Sequence, residues 1–345
     1  MKLALLTYDF APDLGGVQTY LYEIARRLAA SHEVHIVAPR REGRPAPSGL
    51  HYPVARPLNA PGIWQLLRAL HPDRVIVGHT HPQLLLPAAA TRRPFIAVAH
   101  GNDYRAAQRR WHRPLFNALL RRADPLVTTT ATSASRLTAL GLPPPRVIFP
   151  GTDAKRFRPA GDRPASPLRL LTVARLVAGK GIATLIAALP ALLPDFPELT
   201  YTVAGAGPDR ERLQKLAERH GVARSVQFAG PATGAALVAL YQQSHLFVMP
   251  AREEGFGIVY LEAAACGLPV VAGRSGGAVE AVREGITGYL VPPDDPAALA
   301  ATLRRLLADE ELRQRMGAAG RQWVESEMNW DRAAREFAAL LASDG

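Results

Sequence analysis

The sequence predicts an α/β protein made of two domains, each a parallel sheet covered by helices on both faces. Three observations carry this. Short apolar runs alternate with helix-length amphipathic stretches along the whole chain. At 345 residues the chain exceeds one ordinary hydrophobic core. Near its middle, residues 150–167 (PGTDAKRFRPAGDRPASP) break both periodicities and are rich in Pro and Gly, which places a domain boundary there.

In chain order, residues 2–8 read as a buried strand, followed by a Gly loop and an amphipathic helix over 17–30. Residues 34–38, 74–77, 95–99 and 126–129 continue the strand series. In the second half, 169–173, 201–204, 225–228, 246–249 and 269–272 are short apolar strands separated by helical stretches. Near-continuous apolar strands with helices between them argue for parallel pairing. Ligands in such sheets bind beyond the carboxyl ends of the strands. The most informative residues of this chain follow predicted strands.

Composition narrows the function classes. Hydrophobic residues make up 48%, and 30 Pro and 28 Gly are spread along the chain, as in a globular protein. No apolar run approaches the roughly 18–20 residues needed to span a bilayer. The opening apolar stretch ends at Asp9 without a small-residue cleavage pattern, so it reads as a strand and not a signal peptide. The single cysteine, Cys266, excludes an intramolecular disulfide, and a cytoplasmic location is expected. Its setting, AAACG, reads as helix packing. The net charge of +11 is uneven: residues 1–150 hold 19 Lys+Arg against 8 Asp+Glu, and 151–345 hold 22 of each. With no basic–aromatic RNA motif and no zinc-ligand spacing, nucleic acid is not expected as a partner. An anionic membrane surface or acidic acceptor fits the charge, as does a merely solvated Arg-rich surface.

Four segments carry chemistry. The first is Glu254-Gly-Phe-Gly-Ile-Val-Tyr-Leu-Glu262. Eight helical steps between the glutamates would advance about 12 Å, comparable to the span from hexose to ribose in a nucleotide-sugar. One carboxylate can hold sugar hydroxyls and the other ribose hydroxyls. N–H groups of the Gly255–Gly257 turn and the helix start suit an anion between them. The second is Arg175-Leu-Val-Ala-Gly-Lys180-Gly181, with two cations on a Gly loop after a strand. Arg grips phosphate oxygens as a fork and Lys adds a point charge, so a leaving diphosphate can be neutralised without metal. The third is Asp13-Leu-Gly15-Gly16-Val-Gln18 after the first strand, where glycines permit close approach and a helix N-terminus follows. The fourth is His100-Gly101-Asn102-Asp103 at the end of strand 95–99, facing the expected ligand edge.

Weaker signals remain. His79-Thr-His81 has metal-like spacing, but no Asp-x-Asp accompanies it, and no metal is expected. Gly205-Ala-Gly207 lacks the third glycine of a dinucleotide fingerprint. Residues 105–122 interleave six arginines with Trp111, Leu115, Phe116, Leu119 and Leu120, the composition of an interfacial helix, with Pro114 interrupting it. An internally buried apolar face is the alternative.

Together these segments, with Ala272-Gly-Arg-Ser-Gly-Gly-Ala-Val-Glu280, resemble the retaining glycosyltransferases of the GT-B fold. That large family includes bacterial phosphatidylinositol mannosyltransferases, sucrose synthases and many lipopolysaccharide transferases. The resemblance covers nearly the whole chain. GGVQTYL, GIVYLEA and VVAGRSGG look closest to the phosphatidylinositol-mannoside type. It implies two Rossmann-like domains whose parallel sheets face across a cleft: an acceptor domain over 1–155 and a donor domain over 156–329, with helix 330–345 packing back on the first. It implies His100, Arg175, Lys180 and Glu254 as catalytic residues. The donor contacts are then Gly15, Gly16, Arg175, Lys180, Gly255, Phe256, Gly257 and Glu262, with the base near the 227–231 loop. The acceptor contacts are Asp13, Gln18 and Asp103. The implied reaction is metal-independent, front-face transfer of a hexose from a GDP- or UDP-sugar, with GDP-mannose favoured, to a lipid-linked or carbohydrate acceptor. No cofactor is implied. Competing readings are another GT-B enzyme, such as a nucleotide-sugar epimerase or a glycan phosphorylase, and a non-catalytic nucleotide-sugar-binding protein. The phosphorylase would need a pyridoxal-phosphate lysine in a half that has only Lys155, Lys180 and Lys215.

Overall fold

The computed structural model describes residues 1–11, 15–39, 50–51, 59–101, 113–161 and 166–342. The chain separates into two compact units, Met1–Gly151 with Trp330–Gly345, and Thr152–Asn329.

The first unit holds β1 (Lys2–Leu6), α1 (Gly16–Leu28), β2 (Glu33–Val37), α2 (Ala60–Leu70), β3 (Arg74–Val77), α3 (Pro82–Ala90), β4 (Phe95–Ala99), α4 (Arg113–Leu120), β5 (Ala123–Thr128), α5 (Ala131–Ala139) and β6 (Arg146–Val147). The sheet order is β2-β1-β3-β4-β5-β6, parallel throughout. Every residue of FIAVA in β4 is buried, as a central strand covered on both faces requires. The chain leaves β1 toward β2 and returns to β3 on the other side, so strand order reverses between β1 and β3. The loops beyond the carboxyl ends of those two strands meet through Thr7 and His79, 3.0 Å apart, and through Tyr8 and Gln83, 2.7 Å apart, at the edge where ligands of such sheets bind.

The second unit holds β7 (Arg169–Val173), α6 (Ile182–Ala188), β8 (Thr200–Ala204), α7 (Arg210–Arg219), β9 (Val226–Gly230), α8 (Gly234–Gln243), β10 (Leu246–Met249), α9 (Ile258–Ala265), β11 (Val270–Gly273), α10 (Ala278–Ala281), β12 (Gly288–Val291), α11 (Pro296–Ala308) and α12 (Glu310–Ser326). Its order, β12-β11-β10-β7-β8-β9, puts the first strand in the middle and the reversal between β7 and β10. Leu170, Tyr201, Val203, Leu246 and Val248 line its core with α6 and α11. Asp295 and Asp309 cap α11 and α12, accepting from Ala298 N and Leu312 N at 2.9 and 2.8 Å.

The last helix, α13 (Trp330–Ala342), belongs to the first unit and packs on α1. Tyr20 meets Trp330 edge-on at 6.0 Å, and Arg27 Nε donates to Asp331 Oδ1 at 2.6 Å.

Two local expectations change, and one open alternative is decided. Only the last part of the glutamate segment is helical, because α9 starts at Ile258, so Glu254 stands on a loop and the eight-step helical spacing does not apply. Pro114 sits in the first turn of α4, where a missing N–H costs nothing, and does not interrupt it. That helix turns Phe116, Leu119 and Leu120 into the unit's core, leaving Leu115 exposed. Trp111 and residues 105–110 lie outside the described residues. No helix among the described residues is long and apolar enough to cross a membrane.

Candidate active site

In the second unit the reversal between β7 and β10 brings the charged residues together. After β7 the chain turns through Gly179 and Gly181, both left-handed with φ of 87° and 75°. A Cβ on Gly181 would stand 2.5 Å from Pro250 O, so only glycine lets this loop press against the end of β10. Arg252 N donates to Gly179 O at 2.8 Å and ties the two loops. The consequence is an ion pair, Lys180 Nζ to Glu254 Oε2 at 2.6 Å, whose side chains are 19% and 16% exposed. Arg175, on the same loop, is exposed, and among the described residues its guanidinium makes no hydrogen bond or ion pair.

Glu254 is held from behind by the loop after β11. Gly277 N donates to Glu254 O at 2.9 Å. Gly276 has φ of 59°, and a Cβ there would lie 2.5 Å from the same oxygen. Gly257, with φ of 87°, starts α9; a side chain on it would collide with the Tyr260 ring. No side chain caps α9; Tyr260 N donates to Gly257 O at 2.9 Å, which leaves the Ile258 and Val259 N–H groups at the helix start for an anion. Phe256 is buried under the turn, while Gly255 is exposed and its N–H lies 3.2 Å from Glu254 Oε1.

Glu262, one turn into α9, is partly buried. Tyr241 Oη donates to its Oε2 at 2.8 Å. Burial pushes the Glu262 carboxyl above the usual range, and the Tyr241 hydrogen bond and the Arg156 charge pull against that. The Gly205-Ala206-Gly207 motif serves the fold. A Cβ on either glycine would strike the Ala174 or Leu176 carbonyl, and Leu176 N donates to Ala206 O at 2.9 Å. Its glycines zip the loops after β7 and β8 together. Cys266 is fully buried at the end of α9.

In the first unit, His100 lies buried at the end of β4. Its Nε2–H donates to Gly78 O at 3.0 Å, which fixes the tautomer. Burial lowers its pKa to about 4, so the ring is neutral near pH 7. Tyr20 and His79 pack around it, with ring centroids at 5.5 and 5.8 Å. His79 and His81 point to separate tasks. His79 Nδ1 lies 3.0 Å from Thr7 Oγ1 and its Nε2 3.4 Å from Asp9 Oδ2. His81 Nδ1 accepts from Gln83 N at 3.3 Å and caps α3. Gly15 and Gly16 are exposed at the start of α1, and the Gln18 side chain folds back over Gly15. Asp13 and Asp103 lie outside the described residues.

Comparison with known proteins decides the family. A family model described as glycosyl transferases group 1 matches residues 153–323, and one described as Glycosyltransferase Family 4 matches residues 14–156. A GDP-mannose-dependent alpha-(1-6)-phosphatidylinositol monomannoside mannosyltransferase of Mycolicibacterium smegmatis is 33% identical, over 99% of this chain and 98% of its own. This chain belongs to the group 1 glycosyltransferases. It is an enzyme of the glycosyltransferase class, and its two parallel-sheet units are the halves of a GT-B fold. Other relatives of this glycosyltransferase include a glycogen synthase of Mycobacterium tuberculosis, 36% identical over 79% of this chain and 69% of its own. Among solved structures, a sucrose-phosphate synthase of Thermosynechococcus elongatus has a TM-score of 0.85 at 25% identity, covering 99% of this chain and 98% of its own. The Anabaena protein HepE, solved with UDP, has a TM-score of 0.86 at 20% identity over 99% and 100%; that likeness concerns the fold.

Sequence reasoning missed several side chains of this glycosyltransferase. Thr7, Asp9 and Tyr8, whose hydroxyl donates to Gln83 Oε1 at 2.7 Å, line the end of β1. Their position directly after the first strand was the available signal. Tyr241 carried none, being one aromatic in an otherwise ordinary apolar helix.

Proposed function

We propose that this glycosyltransferase is a retaining mannosyltransferase that takes mannose from GDP-mannose and adds it to an inositol-mannoside lipid, without a metal. The carrying observation is the Lys180–Glu254 pair at the strand reversal, with Arg175 on the same loop. In this reading the donor exchanges the pair for two new contacts. Lys180 and Arg175 take the diphosphate, and Glu254 accepts from hydroxyls of the sugar. Backbone N–H groups at Gly255–Gly257 add to the anion's field. Glu262 holds the ribose. His100, neutral through burial, is assigned to the transferring sugar. Gly15, Gly16, Gln18, Asp13 and Asp103 are assigned to the donor and acceptor side of the first unit.

The bond from the anomeric carbon to the diphosphate oxygen breaks, and the bond to the acceptor oxygen forms on the same face. The leaving phosphate oxygen takes the acceptor proton. The protein supplies position and positive charge where negative charge develops. GDP-mannose and the lipid acceptor follow the mycobacterial relatives, whose names specify both.

The first unit's positive charge fits peripheral docking on an anionic bilayer. Trp64, Leu86 and Leu115 stand exposed on α2, α3 and α4, which pack in that order, and Arg68 lies 4.7 Å over the Trp64 ring.

The test is transfer from GDP-mannose to phosphatidylinositol monomannoside in excess EDTA, with the product anomer read by NMR. An α-mannoside formed at an unchanged rate supports the reading. Loss of turnover on chelation, restored by a divalent ion, overturns the metal-free mechanism; a β-mannoside overturns retention; no transfer from GDP-mannose overturns the donor.

A further inference from the structure

The environment of Glu262 contains a hydroxyl that the proposed reaction does not use. Tyr241 is fully buried on α8, and its hydroxyl has one proton to give. Two acceptors are near: Glu262 Oε2 at 2.8 Å and Val259 O at 3.5 Å. The shorter, charge-assisted contact takes the proton. Among the described residues, Glu262 Oε1 makes no hydrogen bond. One carboxylate oxygen is therefore committed and the other is left for a ligand.

The phenol cannot drift. Phe157 meets its ring edge-on at 5.7 Å and Phe247 lies tilted at 5.8 Å. Phe157 is fixed in turn, because Arg321 Nη1 donates to Ala154 O at 2.8 Å and Phe157 O at 2.7 Å. The same nitrogen donates to Ala265 O at 2.9 Å, at the end of the helix that carries Glu262. Arg321 thus clamps the Tyr241 support and the Glu262 helix to one point. The groups facing Glu262 are Tyr241 from α8 and Arg156 from the segment before β7, with Cys266 beyond Tyr241 on α9 itself. The phenol proton and the guanidinium both favour the ionised carboxylate, against burial.

We propose that Tyr241 is the positioning residue of Glu262: it occupies Oε2, fixes the carboxylate plane, and leaves Oε1 to accept from the vicinal diol of a nucleotide ribose. This rests on the reading of Glu262 as the ribose ligand. Tyr241 touches no substrate and acts through the carboxylate.

The experiment compares Tyr241→Phe and Glu262→Gln with the parent enzyme. Calorimetry measures binding of GDP and of 2′,3′-dideoxy-GDP from pH 5 to 8, and kinetics measure kcat and KM for GDP-mannose. The parent should prefer GDP over its dideoxy analogue. Tyr241→Phe should weaken GDP about tenfold, the effect of one hydrogen bond to a charged group, and leave the dideoxy analogue unchanged. KM should rise by the same factor with kcat within twofold. The pH below which GDP binding fails should move upward, because the lost proton donor no longer favours the ionised carboxylate. Equal weakening of both nucleotides, or an unmoved pH profile, shows a packing role only and overturns the inference. If Glu262→Gln abolishes the ribose preference but Tyr241→Phe keeps it, the inference alone fails. If Glu262→Gln also keeps it, the ribose reading of Glu262 fails and takes this inference with it.

Discussion

Lys180→Ala should remove most turnover while costing little stability. The pair it breaks has Nζ and Oε2 2.6 Å apart. At an effective permittivity near 20, such a contact is worth about 6 kcal/mol of gross attraction. Both side chains are mostly withdrawn from water, at 19% and 16% exposure, so lost hydration consumes most of that. A net contribution of about 1–2 kcal/mol remains, between the values for surface and fully buried pairs. Glu254 also keeps the Gly255 N–H at 3.2 Å after the substitution, so its charge is not stranded. The urea midpoint should therefore fall by less than about 1 M. Turnover is a different matter. If Lys180 neutralises charge growing on the diphosphate, its loss should cost about 3 kcal/mol in the transition state, or roughly 10²-fold in kcat. Initial rates with GDP-mannose and urea unfolding on the same preparation test both halves. A kcat within tenfold of the parent at an unchanged midpoint would refute the phosphate assignment. A midpoint collapse of several molar would refute the division between chemistry and structure.

Gly276→Ala should lower both activity and stability, because the new Cβ at φ of 59° meets Glu254 O at 2.5 Å and must push the Glu254 loop aside; a loss of about 1–3 kcal/mol by denaturation with a matching fall in kcat/KM is expected, and an unchanged kcat/KM would contradict the clasp. Acid should unfold the first unit partly through His100. Its pKa is depressed from the ordinary 6.5 to about 4, so the native state resists protonation that the unfolded chain accepts. That stability is intact above about pH 6.5 and is lost as pH falls to about 4, by about 3 kcal/mol in all. His100→Gln should flatten the pH dependence of the unfolding midpoint over that window, and an equal slope in both proteins would refute it. Trp64→Ser should weaken co-sedimentation with anionic vesicles at low salt and leave binding of GDP unchanged; equal sedimentation of both proteins would separate α2 from any membrane contact.

The strands were legible because they are apolar and short with Gly or Pro around them. Residues 74–77, 95–99, 169–173 and 246–249 read from periodicity coincide with β3, β4, β7 and β10. Two strands were not legible. β6 is two residues long, and β12, GYLV, contains a glycine whose absent side chain is what lets it lie against Val270 O. A two-residue edge and a strand chosen for close approach carry no alternation to detect.

The charged residues of the second unit were legible for a related reason. A lysine and a glutamate each stand in a Gly-containing loop after an apolar strand, and parallel-sheet topology brings the ends of those strands side by side. What could not be read was the side chain that holds another in place. Tyr241 differs from a core tyrosine only through the 2.8 Å contact its hydroxyl makes, and nothing in GAALVALYQQ announces a partner 21 residues away. The same holds for Arg321, whose neighbours in sequence describe an ordinary amphipathic helix while its guanidinium gathers three carbonyls from two separate segments. Charged groups at strand ends stand out in a sequence because their chemistry is costly to bury and contrasts with an apolar background. The groups around them, a buried tyrosine and a helix arginine, look ordinary in the sequence, and only the packed structure distinguishes them.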